Sequence, residues 1–118
     1  MKRILKKDGF CAPAALAYVS GLPEKTVLDI CVHEGFDPFH GMDDAEILAA
    51  AKELGIKLRP VKCQPQRLRK FIKDHKFGRY LVCTWDHIFV LNDGLIYDPL
   101  CPTGGLGRVV QIAWRVVV

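Results

Sequence analysis

His87-Ile88-Phe89-Val90-Leu91-Asn92-Asp93-Gly94-Leu95-Ile96-Tyr97-Asp98-Pro99 has the outline of a β-hairpin. Apolar runs rich in β-branched and aromatic residues flank Asp93-Gly94, and Asp-Gly in that setting is the strongest short signal for a type I′ turn. With Asp93 and Gly94 as the loop, Asn92 faces Leu95 and Phe89 faces Asp98. His87 and Asp98 are then diagonal neighbours on one face, roughly 7 Å or less apart at Cβ and within reach of a side-chain hydrogen bond. With Asn92-Asp93 as the loop they stand directly opposite each other. A three-residue loop without a bulge puts them on different faces, because side chains alternate along a strand.

The β character extends on both sides of this hairpin. Tyr80 to Thr84, His87 to Leu91, Leu95 to Tyr97 and Val109 to Val118 all read as strands. Upstream the period changes. Ala12 to Ser20 is apolar nearly all round, the pattern of a central helix, with Pro13 tolerable in the first turn and Gly21-Leu22-Pro23 as its stop. Glu24 to Glu34 reads as a second helix with Val27, Leu28 and Cys31 on one face. Asp43 and Glu46 match a capping box that opens a third helix ending at Gly55. Ile56 to Cys63 alternates loosely, as a strand does, and Leu68, Phe71 and Ile72 give the stripe of a short basic helix after Pro65. Helices first and strands last predict an α+β fold, with the N-terminal helices packed on a mostly antiparallel sheet.

At 118 residues and 50% hydrophobic content the chain supports one core, and no compositional shift marks a boundary, so residues 1–118 are expected to form a single domain. Five cysteines (Cys11, Cys31, Cys63, Cys83, Cys101) at wide spacing argue against a secreted disulfide framework and for a reducing compartment. No Cys-x-x-Cys pair occurs, and His33, His40 and His75 do not complete a zinc set, so no metal or other cofactor is expected. The basic start followed by the apolar Phe10 to Val19 has the outward form of a signal peptide, but Asp8 splits the two parts and Pro13 interrupts the second. No run reaches the roughly 18 apolar residues of a spanning helix. A cytoplasmic protein without membrane insertion is the expectation.

Charge is unevenly placed. Asp8 to Ile56 holds nine acids against two bases, and Lys57 to Arg79 holds nine bases against one acid. The simplest reading of the basic segment is a solvated helix face, with Arg67, Arg69, Lys70 and Lys73 as the surface open to an acidic protein partner. Nucleic-acid binding ranks lower, because no aromatic interleaving or nucleic-acid motif accompanies the charge.

Cys11 stands where the first helix begins, and the free N–H groups and macrodipole there favour an anion, the form in which a thiol reacts. Taken alone it reads first as one more small buried residue. The His87–Asp98 pair changes the reading. An imidazole held by a carboxylate has its tautomer set, and its other nitrogen can take a proton from a thiol and return it to a leaving group.

The Asp8-Gly9-Phe10-Cys11-Ala12-Pro13-Ala14-Ala15-Leu16-Ala17 run opening an apolar helix, together with the His87 to Pro99 segment, resembles the papain-like cysteine peptidases, in particular the bacteriocin-processing peptidase domains of bacterial export transporters. The resemblance implies a papain-like fold with the nucleophile heading the central helix, Cys11, His87 and Asp98 as catalytic residues in that order, a protein or peptide substrate, and a bacterial or phage source. It also marks a departure. The family carries a glutamine several residues before the cysteine whose amide helps hold the oxyanion, whereas Leu5 to Gly9 has none, and Lys6 or Lys7 occupies that region. A lysine can donate there, but as a flexible point charge it is a poorer preorganised donor. Trp85 and Asp86, just before His87, are candidates to line the cleft, although Trp85 fits a core equally well.

Two functions follow. One is a cysteine-dependent hydrolase that cleaves a peptide, isopeptide or related amide bond through a thioester, with deamidation or amide transfer open to the same parts. The other is a weak or inactive papain-like binding module that grips an acidic partner through its basic 57–79 surface. The missing glutamine favours the second; Cys11, His87 and Asp98 together favour the first.

Overall fold

The computed structural model describes residues 11–37, 41–62, 65–84, 87–98 and 107–117. Along them run α1 (Cys11–Ser20), α2 (Glu24–His33), α3 (Asp44–Glu53), β1 (Lys57–Pro60), β2 (Gln66–Arg67), α4 (Leu68–Asp74), β3 (Arg79–Cys83), β4 (Ile88–Asn92), β5 (Leu95–Tyr97), β6 (Val109–Val110) and β7 (Ile112–Val117). Five strands form one antiparallel sheet in the order β1-β7-β3-β4-β5, and β2 pairs with β6 in a separate ribbon. The architecture is α+β with a mostly antiparallel sheet.

Strand alternation splits the interior into two layers. Leu81, Ile88, Val90, Trp114 and Val116 point to the side covered by α1, α2 and α3. Tyr80, Val82, Phe89, Leu91 and Ala113 point to the other, where Leu68 and Phe71 of α4 and Val110 of β6 meet them. The central strands are therefore buried on both faces, which is why they read as nearly continuous apolar runs. The segregation of helices before strands is only partly realised, since β1 and β2 precede α4 and α4 covers the face opposite the N-terminal helices.

The expected single strand from Val109 to Val118 is two strands in two different sheets. Val110 and Ala113, three residues apart, both face the α4 side, and a period of two cannot satisfy that. The ladder breaks at Gln111, whose N–H donates to the Cys83 carbonyl at 2.8 Å. Of the loosely alternating Ile56 to Cys63, Lys57–Pro60 pairs with β7, and the Val61 N–H donates to the Ala113 carbonyl at 3.0 Å.

The third helix begins as its capping pair requires. Asp43 Oδ1 accepts from the Glu46 N–H at 2.8 Å, and Glu46 Oε1 accepts from the Asp43 N–H at 2.9 Å.

Candidate functional site

The β4–β5 turn sets the register on which the site depends. Asp93 and Gly94 both have positive φ, 48° and 83°, as a type I′ turn demands, and Asn92 pairs with Leu95 and Val90 with Tyr97. Continuing that register brings Asp98 level with Phe89, diagonal to His87. The His87 Nε2–H donates to Asp98 Oδ1 at 2.7 Å.

Helix α1 lies against the same hairpin. Near its C-terminal end the Tyr18 ring stacks on Tyr97 with centroids 3.9 Å apart, and the Tyr18 hydroxyl accepts from Asn92 Nδ2 at 3.0 Å. Cys11 is seven residues upstream of Tyr18, about 10 Å along a helix. Ile88 is four residues from Asn92 along β4, about 14 Å. Tying Tyr18 to the turn end of the hairpin therefore carries Cys11 to the end where His87 and Asp98 stand. Cys11 shares a small cleft with Asp98 and stands near enough to the His87 ring to raise its pKa. With Nε2 committed to Asp98, Nδ1 is the ring nitrogen left for the thiol.

Asp98 is buried, with its side chain 3% exposed, and a buried carboxylate needs partners for both oxygens. Arg108 supplies the second, its Nη1 donating to Oδ2 at 3.2 Å while its guanidinium packs over the Phe89 ring, 4.5 Å from the centroid. The His87 ring stacks near the same phenyl, centroids 6.1 Å apart. Burial by itself would pull the His87 pKa down, but the hydrogen bonds to Asp98 and Cys11, and the negative charge each can carry, outweigh it and raise the pKa to about 10.

Cys11 is half-buried at the first position of α1 and lines a small cleft with Ala14, Ile88, Tyr97 and Asp98, with room for about one water at about 10 Å³. The other described thiols are Cys31 and Cys83. Burial pushes Cys31 up to about 11, and burial with the Asp44 and Cys11 charges pushes Cys83 up to about 12.

The structure thus brings Cys11, His87 and Asp98 together. Lys6, Lys7, Trp85 and Asp86 lie outside the described residues. Arg67, Arg69, Lys70 and Lys73 are exposed on β2 and α4 and are not part of this cluster. Lys70 pairs with Asp74 at 3.1 Å, and Arg67 donates to the Gly107 carbonyl at 2.9 Å. Arg108 is a site residue that sequence reasoning missed. A lone arginine before an apolar run carries no pattern, and only the fold makes it the partner of Asp98.

One further group, His33, Glu34 and Glu53, places its possible ligand atoms within 4.8 Å of one another at the ends of α2 and α3. The Glu34 carboxyl is held above its usual range first by a side-chain hydrogen bond with Glu53, then by burial and by the Glu53 charge.

Comparison with protein-family models, with curated proteins and with solved structures returned no match. Among the described residues no helix is long and apolar enough to cross a membrane.

Proposed function

We propose that this chain is a papain-like cysteine hydrolase acting on a peptide, isopeptide or related amide bond. The observation that carries the reading is the His87–Asp98 hydrogen bond standing beside Cys11, whose half-buried sulfur shares a cleft with Asp98. The Cys11 sulfur is the nucleophile, and the His87 ring beside it is its proton partner.

The sulfur attacks the amide carbon, and the carbonyl π electrons move to oxygen. The Cys11 N–H is the proposed first donor to that oxyanion, and Lys6 or Lys7 is the proposed second. His87 gives its proton to the leaving nitrogen as the C–N bond breaks, which leaves a thioester. His87 then takes a proton from water, whose oxygen attacks the thioester carbon, and the sulfur departs. Asp98 stays ionised throughout and keeps the ring oriented.

Iodoacetamide labelling near neutral pH, read by peptide mapping, tests the nucleophile. Cys11 is expected to react far faster than Cys31 and Cys83, and His87→Ala to remove that advantage. Hydrolysis of a peptide library, lost in Cys11→Ser and His87→Ala alike, tests the reaction. Uniformly slow labelling with no turnover would favour the binding module instead.

A further inference from the structure

We propose that the free edge of β5 is the docking strand for the substrate, which binds as an extended peptide pairing main chain to main chain with Ile96 and Asp98. The inference rests on the hydrolase reading only in calling that peptide a substrate.

β5 closes one side of the five-stranded sheet and has a single strand neighbour, β4. Which of its backbone groups that neighbour uses follows from the alternation of an antiparallel ladder. The Thr84 N–H donates to the His87 carbonyl at 2.8 Å, so His87, Phe89 and Leu91 direct their backbone groups at β3. Ile88, Val90 and Asn92 then direct theirs at β5, where Val90 meets Tyr97 and Asn92 meets Leu95. The Asp93-Gly94 turn gives the same answer, because the residues that flank a two-residue type I′ turn form a bonded pair. Leu95 and Tyr97 are thus satisfied within the hairpin. Ile96 and Asp98 turn their N–H and C=O groups outward at sites about 7 Å apart. Among the described residues no other backbone group bonds to either.

The two edges of the sheet are built differently. β1, the opposite edge, carries Lys57, Arg59 and Pro60, and charge and a missing N–H keep an edge from recruiting another chain. β5 has neither charge nor proline; its Leu95, Ile96 and Tyr97 are 75%, 37% and 39% exposed. An open apolar edge of this kind is a template for strand addition.

The occupant follows from where the edge leads. Tyr97 and Asp98 line the cleft that holds Cys11, so a strand laid on β5 reaches the thiol at its Asp98 end. Paired residues share a face, and Tyr97 lies on the α1 side opposite Val90, so the bound residue beside Tyr97 also faces that side, with the exposed Leu95 two residues along. The peptide that fits has apolar or β-branched residues at alternate positions and no proline where it pairs. Between peptide and isopeptide substrates the edge selects a linear peptide, because consecutive α-linked residues repeat N–H and C=O at the spacing of Ile96 and Asp98.

Fluorescence anisotropy of a dye-labelled nine-residue peptide alternating threonine and valine, added to the full chain carrying Cys11→Ser, tests the docking. Saturable binding is expected, and none for the same peptide N-methylated at every residue. In the complex the Ile96 and Asp98 amides should gain protection from hydrogen exchange while those of Leu95 and Tyr97 change little. Ile96→Pro removes an outward N–H and no ladder bond, and should weaken binding about tenfold or more. Leu95→Lys puts a charge on the edge and should weaken binding as well, which carries the test if the proline variant does not fold. Equal binding of the N-methylated peptide, binding indifferent to both variants, or a β5-mediated dimer that excludes the peptide would each overturn the proposal. Binding without turnover by the parent chain keeps the docking strand and removes the hydrolase; turnover with KM unchanged in Ile96→Pro does the reverse.

Discussion

Arg108 holds the oxygen of Asp98 that His87 leaves free, Nη1 to Oδ2 at 3.2 Å, so one buried carboxylate is shared between a ring and a guanidinium. Removing one partner of such a pair leaves charge in the interior without its counterion. Arg108→Ala is expected to cost about 2–4 kcal/mol in the urea unfolding transition. Arg108→Lys keeps the charge but not the stack over Phe89 and should fall between the variant and the parent. An Arg108→Ala midpoint equal to that of the parent would show that the guanidinium is not needed to keep Asp98 in place.

The raised pKa of His87 makes stability depend on pH in a known direction. A histidine whose folded pKa is about 10 against an ordinary 6.5 binds its proton more tightly when folded. Its contribution is complete below pH 6.5 and disappears as pH rises through 10. The parent should lose stability across that window by an amount on the order of a few kcal/mol, and His87→Gln should show a flatter profile. The His87 ring signals in a proton NMR titration should not move between pH 6 and 8. Titration of the ring near 6.5 would contradict the Asp98 and Cys11 contacts.

The turn at Asp93-Gly94 and its register were legible in the sequence because Asp-Gly has a backbone requirement that few residues meet, and the His87–Asp98 bond followed from counting residues back from it. The capping box of α3 was legible for the same reason, being local chemistry at fixed spacing. What depended on long-range packing was not. The stripe of Leu68, Phe71 and Ile72 announced a helix but not which face of the sheet it would cover. The break at Gln111 required knowing that Val110 belongs with α4. Arg108 became the partner of Asp98 only through the fold.

Tyr18 is the residue that sets α1 along the hairpin, and its two contacts separate by substitution. Tyr18→Phe keeps the stack on Tyr97 and loses the bond from Asn92, an expected cost of about 0.5–1.5 kcal/mol. Tyr18→Ala loses both and should cost more, by a further 0.5–1.5 kcal/mol or so for the aromatic pair alone. If Tyr18 positions Cys11, the alanine variant also slows iodoacetamide labelling of that thiol under conditions where the fold persists. Unchanged labelling at unchanged fold would assign Tyr18 to stability alone.

Gly94 tests whether the turn governs the site. Its φ of 83° disfavours any residue with a Cβ, although the space beside it is open, the nearest heavy atom to an added Cβ being the Lys76 carbonyl oxygen at 3.7 Å. The penalty of Gly94→Ala is therefore backbone strain rather than collision, about 1 kcal/mol. Gly94→Asn, a residue that tolerates the left-handed region, should cost less. Both variants keep every side chain of the Cys11, His87 and Asp98 cluster. A loss of Cys11 labelling selectivity that follows the strain, larger for alanine than for asparagine, would mean that the register set at residues 93 and 94 is what aligns Asp98 with His87. Equal selectivity in both variants, with the stability loss present, would mean that the Arg108 and Phe89 contacts hold Asp98 in place without help from the turn.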